Sequence, residues 1–192
     1  MKRLRTLLAA ALLAGPAAAI EVSPWGVVRF NTVCASCHEG ECSGRLSFQH
    51  GAAGAANHVR LYAGEVADGQ IDELFELLRF TKSACRVYPI DAVAGFDWRS
   101  DAAALARWRD ARSGRYFIPL GSLQPGRYGV RMTMRDEVQG AWRIVNDRFD
   151  VVAEDQYCRG RALSANFDSG GGRHYLHLNS RGELLDLKLT RE

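Results

Sequence analysis

Two cysteines and a histidine stand together in the run Cys34-Ala35-Ser36-Cys37-His38. Thiols with this spacing can form thioether bonds with the two vinyl groups of haem, and the histidine that follows can bind the iron as its proximal ligand. The same spacing also suits a redox-active thiol pair or half of a zinc site. A zinc site would need a second, similarly spaced pair, and a thioredoxin-like pair would need a βαβ context. The sequence offers neither, so the motif predicts one covalently attached haem c.

The sequence around this motif resembles the class I monohaem c-type cytochromes over about residues 23–92. Ser23 and Pro24 are suited to start a helix that runs into the motif. A second helix is predicted to begin near Asp68 and to end before Pro89, with Glu73 on its polar side. Its apolar stripe consists of Ile71, Leu74, Phe75 and Leu78. The resemblance implies a small all-α haem domain in which these two helices pack together beside the haem edge.

The second iron ligand is where the sequence departs from that family, whose members usually offer a methionine shortly before the last helix. Met132 and Met134 lie beyond the predicted haem domain. His58 occupies the position of that methionine, and His50, in a Gly/Ala-rich loop, is the second choice. An iron with no second protein ligand is the remaining alternative. We expect His38 and His58 to bind the iron together, which favours a low-spin haem of low reduction potential.

Three further cysteines remain outside the motif. Cys42 follows the motif closely, and Cys85 lies at the end of the second predicted helix. A disulfide between them would tie the haem loop to that helix and stabilise the fold by roughly 3–4 kcal/mol in the chain-entropy model. Because the number is odd, one cysteine stays unpaired. We expect Cys42 to pair with Cys85 and Cys158 to remain free, while pairings of Cys158 with either partner are the alternatives.

The first 19 residues have the pattern of a secretory signal peptide. Lys2, Arg3 and Arg5 precede an apolar run over residues 7–14, and small residues follow up to Ala19. The alternative, a membrane anchor, is disfavoured because the run is shorter than the roughly 20 residues that span a bilayer. We therefore expect cleavage after Ala19, export to the periplasm or beyond, and no transmembrane segment after cleavage.

Charge is divided unevenly along the remaining chain. Removing the signal peptide lowers the formal net charge from +3 to zero, which argues against a nucleic-acid partner. Residues 20–92 carry a net charge of −3, whereas residues 93–192 carry +3. Seven arginines and a single acid, Asp110, lie within residues 107–135. This basic segment either docks an acidic redox partner protein or covers the acidic half of its own chain.

A different pattern begins after residue 92. Residues 93–112 are predicted to form a linker and a short helix over 100–112, and residues 113–192 a β-rich domain. Its candidate strands, separated by Pro/Gly turns, are 116–120, 128–134, 142–145, 148–153, 175–178 and 184–189. The fold class predicted for the chain is therefore a two-domain one, a small all-α cytochrome c-like haem domain followed by an antiparallel β-sandwich or barrel-like domain.

The motifs of common enzymes are missing from the sequence. There is no GxSxG, phosphate-binding loop or HExxH, and no convincing acid–base pair. His174 and His177 lie three residues apart in a predicted strand, so they should face opposite sides and not share a metal. We therefore expect a one-electron carrier rather than an enzyme. The alternatives are a haem-based sensor with an open iron site and a non-catalytic subunit of a periplasmic oxidoreductase.

Overall fold

The computed structural model describes residues 22–38, 51–90 and 99–192. Its helices are α1 (Pro24–Arg29), α2 (Ala35–His38), α3 (Ala52–Ala63), α4 (Asp68–Ala84) and α5 (Ala102–Ala106), with a π-helical turn, Phe30–Cys34, between α1 and α2. Its strands are β1 (Arg99–Asp101), β2 (Tyr116–Leu123), β3 (Gly126–Asn146), β4 (Val151–Ser169), β5 (Gly172–Asn179) and β6 (Leu184–Arg191).

The two helices predicted from the sequence are present. The Ser23 hydroxyl accepts a hydrogen bond from the Gly26 amide at 3.1 Å and caps α1, as predicted. Helix α4 begins at Asp68, and Leu74 is buried on its predicted apolar face. Glu73 differs from the prediction because it is buried too, where its carboxylate accepts a hydrogen bond from the Ser23 hydroxyl at 2.7 Å.

Helix α3 was not predicted, and the sequence analysis described only a Gly/Ala-rich loop around His50 in this region. Alanine has the highest intrinsic helix propensity, and four of the first five residues of α3 are alanines. The helix ends at Gly64, whose φ of +86° favours glycine. His58 lies within this helix.

The strands form one antiparallel sheet in the order β1-β6-β3-β5-β2, with β4 paired to β3. Strand β3 is unusually long. Its residues 128–134 pair with β6 and its residues 141–146 pair with β5, while β4 follows it along both parts. The register shifts between these two parts of β3, where the strand changes neighbours. The long hairpin β3–β4 thus joins two smaller sheets into a half-barrel.

The β-rich half of the prediction is confirmed in outline. Each candidate strand overlaps a strand of the structure, although 128–134 and 142–145 are parts of the single strand β3. The helix predicted over 100–112 is wrong in extent, because Ser100 pairs with Leu187 of β6 and only α5 is helical. The Asp101 carboxylate accepts a hydrogen bond from Ala104 N at 3.0 Å and starts that helix.

The described residues do not show the small all-α cytochrome-like domain. In the described part of the chain, strand residues outnumber helical ones, and the helices do not enclose a core of their own. Val27 and Phe30 from the helical segment belong to the same buried cluster as Phe117 and Ile144 from the sheet. Burial of apolar surface drives this packing, so the helices are held mainly by their contacts within a shared core.

Candidate functional site

A cavity of about 720 Å³ lies between the helices and the loop before β2. This volume falls in the range of roughly 300–1,000 Å³ that is usual for cofactor and ligand pockets. The described lining residues are Phe30, Thr32, Val33, Cys34, Ser36, Cys37, His38, Ala55, His58, Val59, Tyr62, Leu74, Phe75, Leu78, Arg112, Ser113 and Arg115. The cavity therefore contains the complete cysteine–histidine motif and the predicted distal histidine.

The π-helical turn brings the motif into this cavity. Its origin is local, because the Asn31 amide donates to the Val27 carbonyl at 2.8 Å and the Thr32 hydroxyl donates to the Val28 carbonyl at 2.8 Å. Side chains that bond to the preceding turn compete with the regular backbone ladder. Such π-turns occur often at functional sites. After the turn, Cys34 and Cys37 lie three residues apart and so on one side of the short helix.

His38 and His58 both line the cavity, with their rings close together in an edge-type arrangement. Their ring centroids are 6.2 Å apart and their planes are inclined by 68°. Tyr62 lies one turn after His58 on α3, and the two rings are 4.9 Å apart. Sequence reasoning missed Tyr62 because it did not identify α3 as a helix. His50, the second choice for the distal ligand, lies outside the described residues.

The two motif thiols are free, as is Cys158. Burial raises the pKa of the Cys34 thiol to about 11, an effect that the nearby Arg29 guanidinium opposes. Reactive thiol pairs of the thioredoxin type need a lowered pKa, so this environment disfavours redox chemistry at Cys34. Cys85 is disulfide-bonded. Because Cys42 lies outside the described residues, the pairing of Cys42 with Cys85 stays a prediction.

A buried ion pair fixes the segment that carries the motif. Arg29 Nε lies 2.9 Å from Asp110 Oδ1, with side-chain exposures of only 8% and 1%. Arg29 also donates to the Ala63 carbonyl at 3.1 Å, while Asp110 accepts from the Ser113 amide at 2.7 Å. The pair thereby connects α1, the end of α3 and the loop before β2. No local pattern in the sequence indicates this pair, because its members lie far apart in the chain.

A second cavity of about 520 Å³ lies on the sheet, near the outer side of the motif segment. It is lined by polar side chains that include Arg143, Asp155 and His177. Burial and, to a smaller extent, the nearby Arg143 guanidinium lower the pKa of His177 to about 3. The His177 ring packs edge-on against Phe117, while His174 contacts another aromatic ring elsewhere on the sheet.

Two other findings describe the chain more broadly. Within residues 22–38, 51–90 and 99–192, no group of three or more His, Cys, Asp or Glu side chains is placed to hold a metal ion. The helices in the same ranges include none that is both long enough and apolar enough to cross a membrane.

No family model and no curated protein matches the chain. Among solved structures, it is similar to the pre-peptidase C-terminal domain of a collagenase from Bacillus anthracis, at 14% identity, with 55% of this chain and 98% of that chain covered and a TM-score of 0.35. It is also similar to a family GH115 4-O-methyl-α-glucuronidase with specificity for decorated arabinogalactans. That match has 12% identity, covers 73% of this chain and 24% of the other, and has a TM-score of 0.34.

A third similar structure is that of the Gx strain of infectious bursal disease virus, at 14% identity and a TM-score of 0.23. It covers 54% of this chain and 30% of that chain. The strand-dominated fold, the shared core and the finding on metal-binding groups within the described residues correct the sequence interpretation. The assignment of the chain to the class I monohaem c-type cytochromes is wrong.

Proposed function

We propose that the chain is an exported one-electron carrier that holds a single haem covalently in the 720 Å³ cavity, on a β-rich fold of its own. Cys34 and Cys37 would form the thioether bonds, His38 would be the proximal iron ligand, and His58 the distal one. The observation that carries the proposal is the closeness of His38 and His58, whose ring centroids are 6.2 Å apart, in a cavity that both thiols also line.

The distance between the two imidazoles supports this assignment. A metal ion bound by two imidazoles lies about 2 Å from each ring nitrogen, which places opposed ring centroids roughly 6 Å apart. The centroids of His38 and His58 are separated by 6.2 Å. A haem requires only axial ligands from the protein, because the porphyrin supplies the others. Two histidines are therefore enough.

The protein residues around the cavity have three tasks. Phe30, Leu74 and Leu78 provide an apolar wall that excludes water from a bound macrocycle. Tyr62 packs against the His58 ring and restricts its orientation. When bound, the haem supplies the exchange of single electrons between the ferric and ferrous states. Ligation by two histidines, without a methionine, favours a low reduction potential.

The first experiment tests covalent attachment. The full chain is expressed in a bacterial periplasm together with a c-type haem maturation system, and haem that stays on the polypeptide after denaturing electrophoresis is measured. We expect stoichiometric haem on the parent and none on Cys34→Ser/Cys37→Ser. Cys158→Ser, which removes the exposed free thiol of β4, is the matched control and should retain haem. A parent chain without covalent haem would refute the proposal.

The second experiment tests the distal ligand. The oxidised parent should give low-spin optical and electron paramagnetic resonance spectra, and His58→Ala should convert them to high spin and allow the reduced form to bind carbon monoxide. His177→Gln, in the other cavity, should leave the spectra unchanged. A parent that is already high-spin and binds carbon monoxide would instead support a haem-based sensor. Co-purification with a catalytic chain would support a subunit role.

A further inference from the structure

Charged side chains occupy only one part of the cavity wall. Arg112 and Arg115 line it from the loop before β2, and no Asp or Glu side chain is among the described lining residues. Both arginines are exposed, so they lie at the solvent side of the cavity. In the part of the chain that the structure describes, neither forms an ion pair. Within the described residues, the cavity thus combines an apolar interior with two positive charges that no ion pair compensates.

Other arginines of the basic segment already have ion-pair or hydrogen-bond partners. Arg127 lies 3.1 Å from a carboxylate oxygen of Glu192, and Arg135 forms two hydrogen bonds with Glu183 at 2.7 and 2.9 Å. Arg109 donates to two backbone carbonyls at 3.3 and 2.9 Å. These contacts all lie within residues 99–192, so these arginines do not cover the acidic half of the chain. Arg112 and Arg115 are different because they face the cavity.

Backbone contacts hold both arginines in place. Arg115 Nη1 donates to the Thr32 carbonyl at 3.3 Å, within the π-helical turn. Arg112 lies against Gly64 at the carboxyl end of α3, so close that a Cβ at Gly64 would collide with its guanidinium. A cation is favoured there by the helix dipole. Arg115 is thus bonded to the segment that carries the motif, and Arg112 lies beside the end of the helix that carries His58.

We infer that Arg112 and Arg115 bind the two propionate carboxylates of the haem and thereby orient it in the cavity. The inference rests on the proposed function and deepens it by naming the positioning residues. Haem carries two propionates, and the cavity offers two guanidiniums, whose planar donor groups match carboxylates. The loop before β2 would thus contribute directly to cofactor binding.

One test measures binding without covalent attachment. Apo-protein of the full chain with Cys34→Ser/Cys37→Ser is titrated with haem and with haem dimethyl ester, which lacks the free carboxylates. We expect haem to bind at least tenfold more tightly than the ester. This preference should disappear in Arg112→Gln/Arg115→Gln and persist in Arg107→Gln, whose side chain stacks on Trp108. An equal preference in all three proteins would overturn the inference.

A second test uses the matured holoprotein. Loss of a positive charge beside a bound haem would favour the ferric over the ferrous state, and we expect a change of about tenfold in their ratio. This corresponds to a fall of about 59 mV in the midpoint potential of a one-electron couple. We expect such a fall in midpoint potential for Arg112→Gln and for Arg115→Gln. Arg112→Lys and Arg115→Lys, which keep the positive charge, should have the parent's potential, and so should Arg107→Gln.

The outcomes separate this inference from the proposed function. If the parent carries covalent haem and both glutamine variants have the potential of Arg107→Gln, the carboxylate contacts are refuted while the electron-carrier proposal stands. If the parent carries no covalent haem but its apo-protein prefers haem over the ester, the proposed attachment fails and the arginine contacts stand. If the parent carries no covalent haem and its apo-protein does not prefer haem over the ester, both proposals are overturned.

Discussion

The substitution Asp110→Asn should destabilise the protein strongly, because it leaves Arg29 as an uncompensated buried charge. The two side chains are almost completely buried, with exposures of 8% for Arg29 and 1% for Asp110. Breaking a buried pair by removing one partner costs about 3–5 kcal/mol. An asparagine can still accept the hydrogen bond from the Ser113 amide, and Arg29 keeps its bond to Ala63. We therefore expect the free energy of unfolding to fall by about 3 kcal/mol, the lower limit of this range.

Urea unfolding, followed by far-ultraviolet circular dichroism, measures this loss directly. In a chain of this size, 1 kcal/mol corresponds to about 2–4 °C, so the melting temperature should fall by roughly 6–12 °C. Asp68→Asn is the matched control. It breaks the Arg60–Asp68 pair, whose side chains are 43% and 91% exposed, and should have little effect.

A double variant separates charge from packing. Replacing both members, as in Arg29→Met/Asp110→Leu, removes the charges together and should recover much of the loss, because buried pairs often exchange for apolar residues at little cost. The reasoning would be refuted if Asp110→Asn unfolded with a free energy no lower than that of Asp68→Asn. It would also fail if the double variant were as unstable as the single one.

Three other predictions concern stability. Glu73→Ala should lower the unfolding free energy by about 1.5–3 kcal/mol, because it removes a buried carboxylate that accepts a hydrogen bond from Ser23. Urea unfolding measures this loss, and a change below about 0.5 kcal/mol would contradict the prediction. Burial keeps His177 neutral in the folded state, with a pKa of about 3 against 6.5 in the unfolded chain. The unfolded state thus binds the extra proton, so stability should fall by up to about 1.4 kcal/mol per pH unit as the pH drops from 6.5 towards 3. His177→Gln should flatten this part of the pH profile, and an unchanged slope would exclude His177 as its source. Gly64→Ala should lower the unfolding free energy by at least about 1 kcal/mol, because it places a side chain at a φ of +86°. Gly69→Ala in α4, which has open space around it, is the control and should not lower the unfolding free energy.

Local signals allowed much of the β-rich region to be predicted. Alternation of buried and exposed residues identified the strands around Tyr128 and Leu187, since half-buried strands repeat every two residues. The start of α1 was equally local, because Ser23 and Pro24 occupy its cap and first turn. The continuity of β3 was missed. Its polar middle section looks like a turn, but β4 pairs with both of its ends.

The remaining errors come from partners that are distant in the sequence. Glu73 looked like a solvent-facing residue because nothing nearby indicates that it bonds to Ser23, 50 residues earlier. Ser100 was assigned to a helix, whereas pairing with Leu187 makes it part of a strand. For the candidate site, the motif was recognised from its spacing, whereas His58 was proposed from the position of the methionine in the family that the sequence resembles. Arg112 could not be predicted, because its position depends on the tertiary packing of its loop against α3.

The proposed haem site depends on the whole chain, because no single segment encloses the cavity. The π-helical turn supplies the thiols, α3 supplies His58, and the loop before β2 supplies the two arginines. The Arg29–Asp110 pair joins these parts, and Val87 N donates to the Asp147 carbonyl at 2.8 Å to connect the end of the helical region with the sheet. A class I cytochrome would enclose its haem within helices alone. Here the sheet region holds one wall of the cavity, so changes in its packing should alter the environment of the iron.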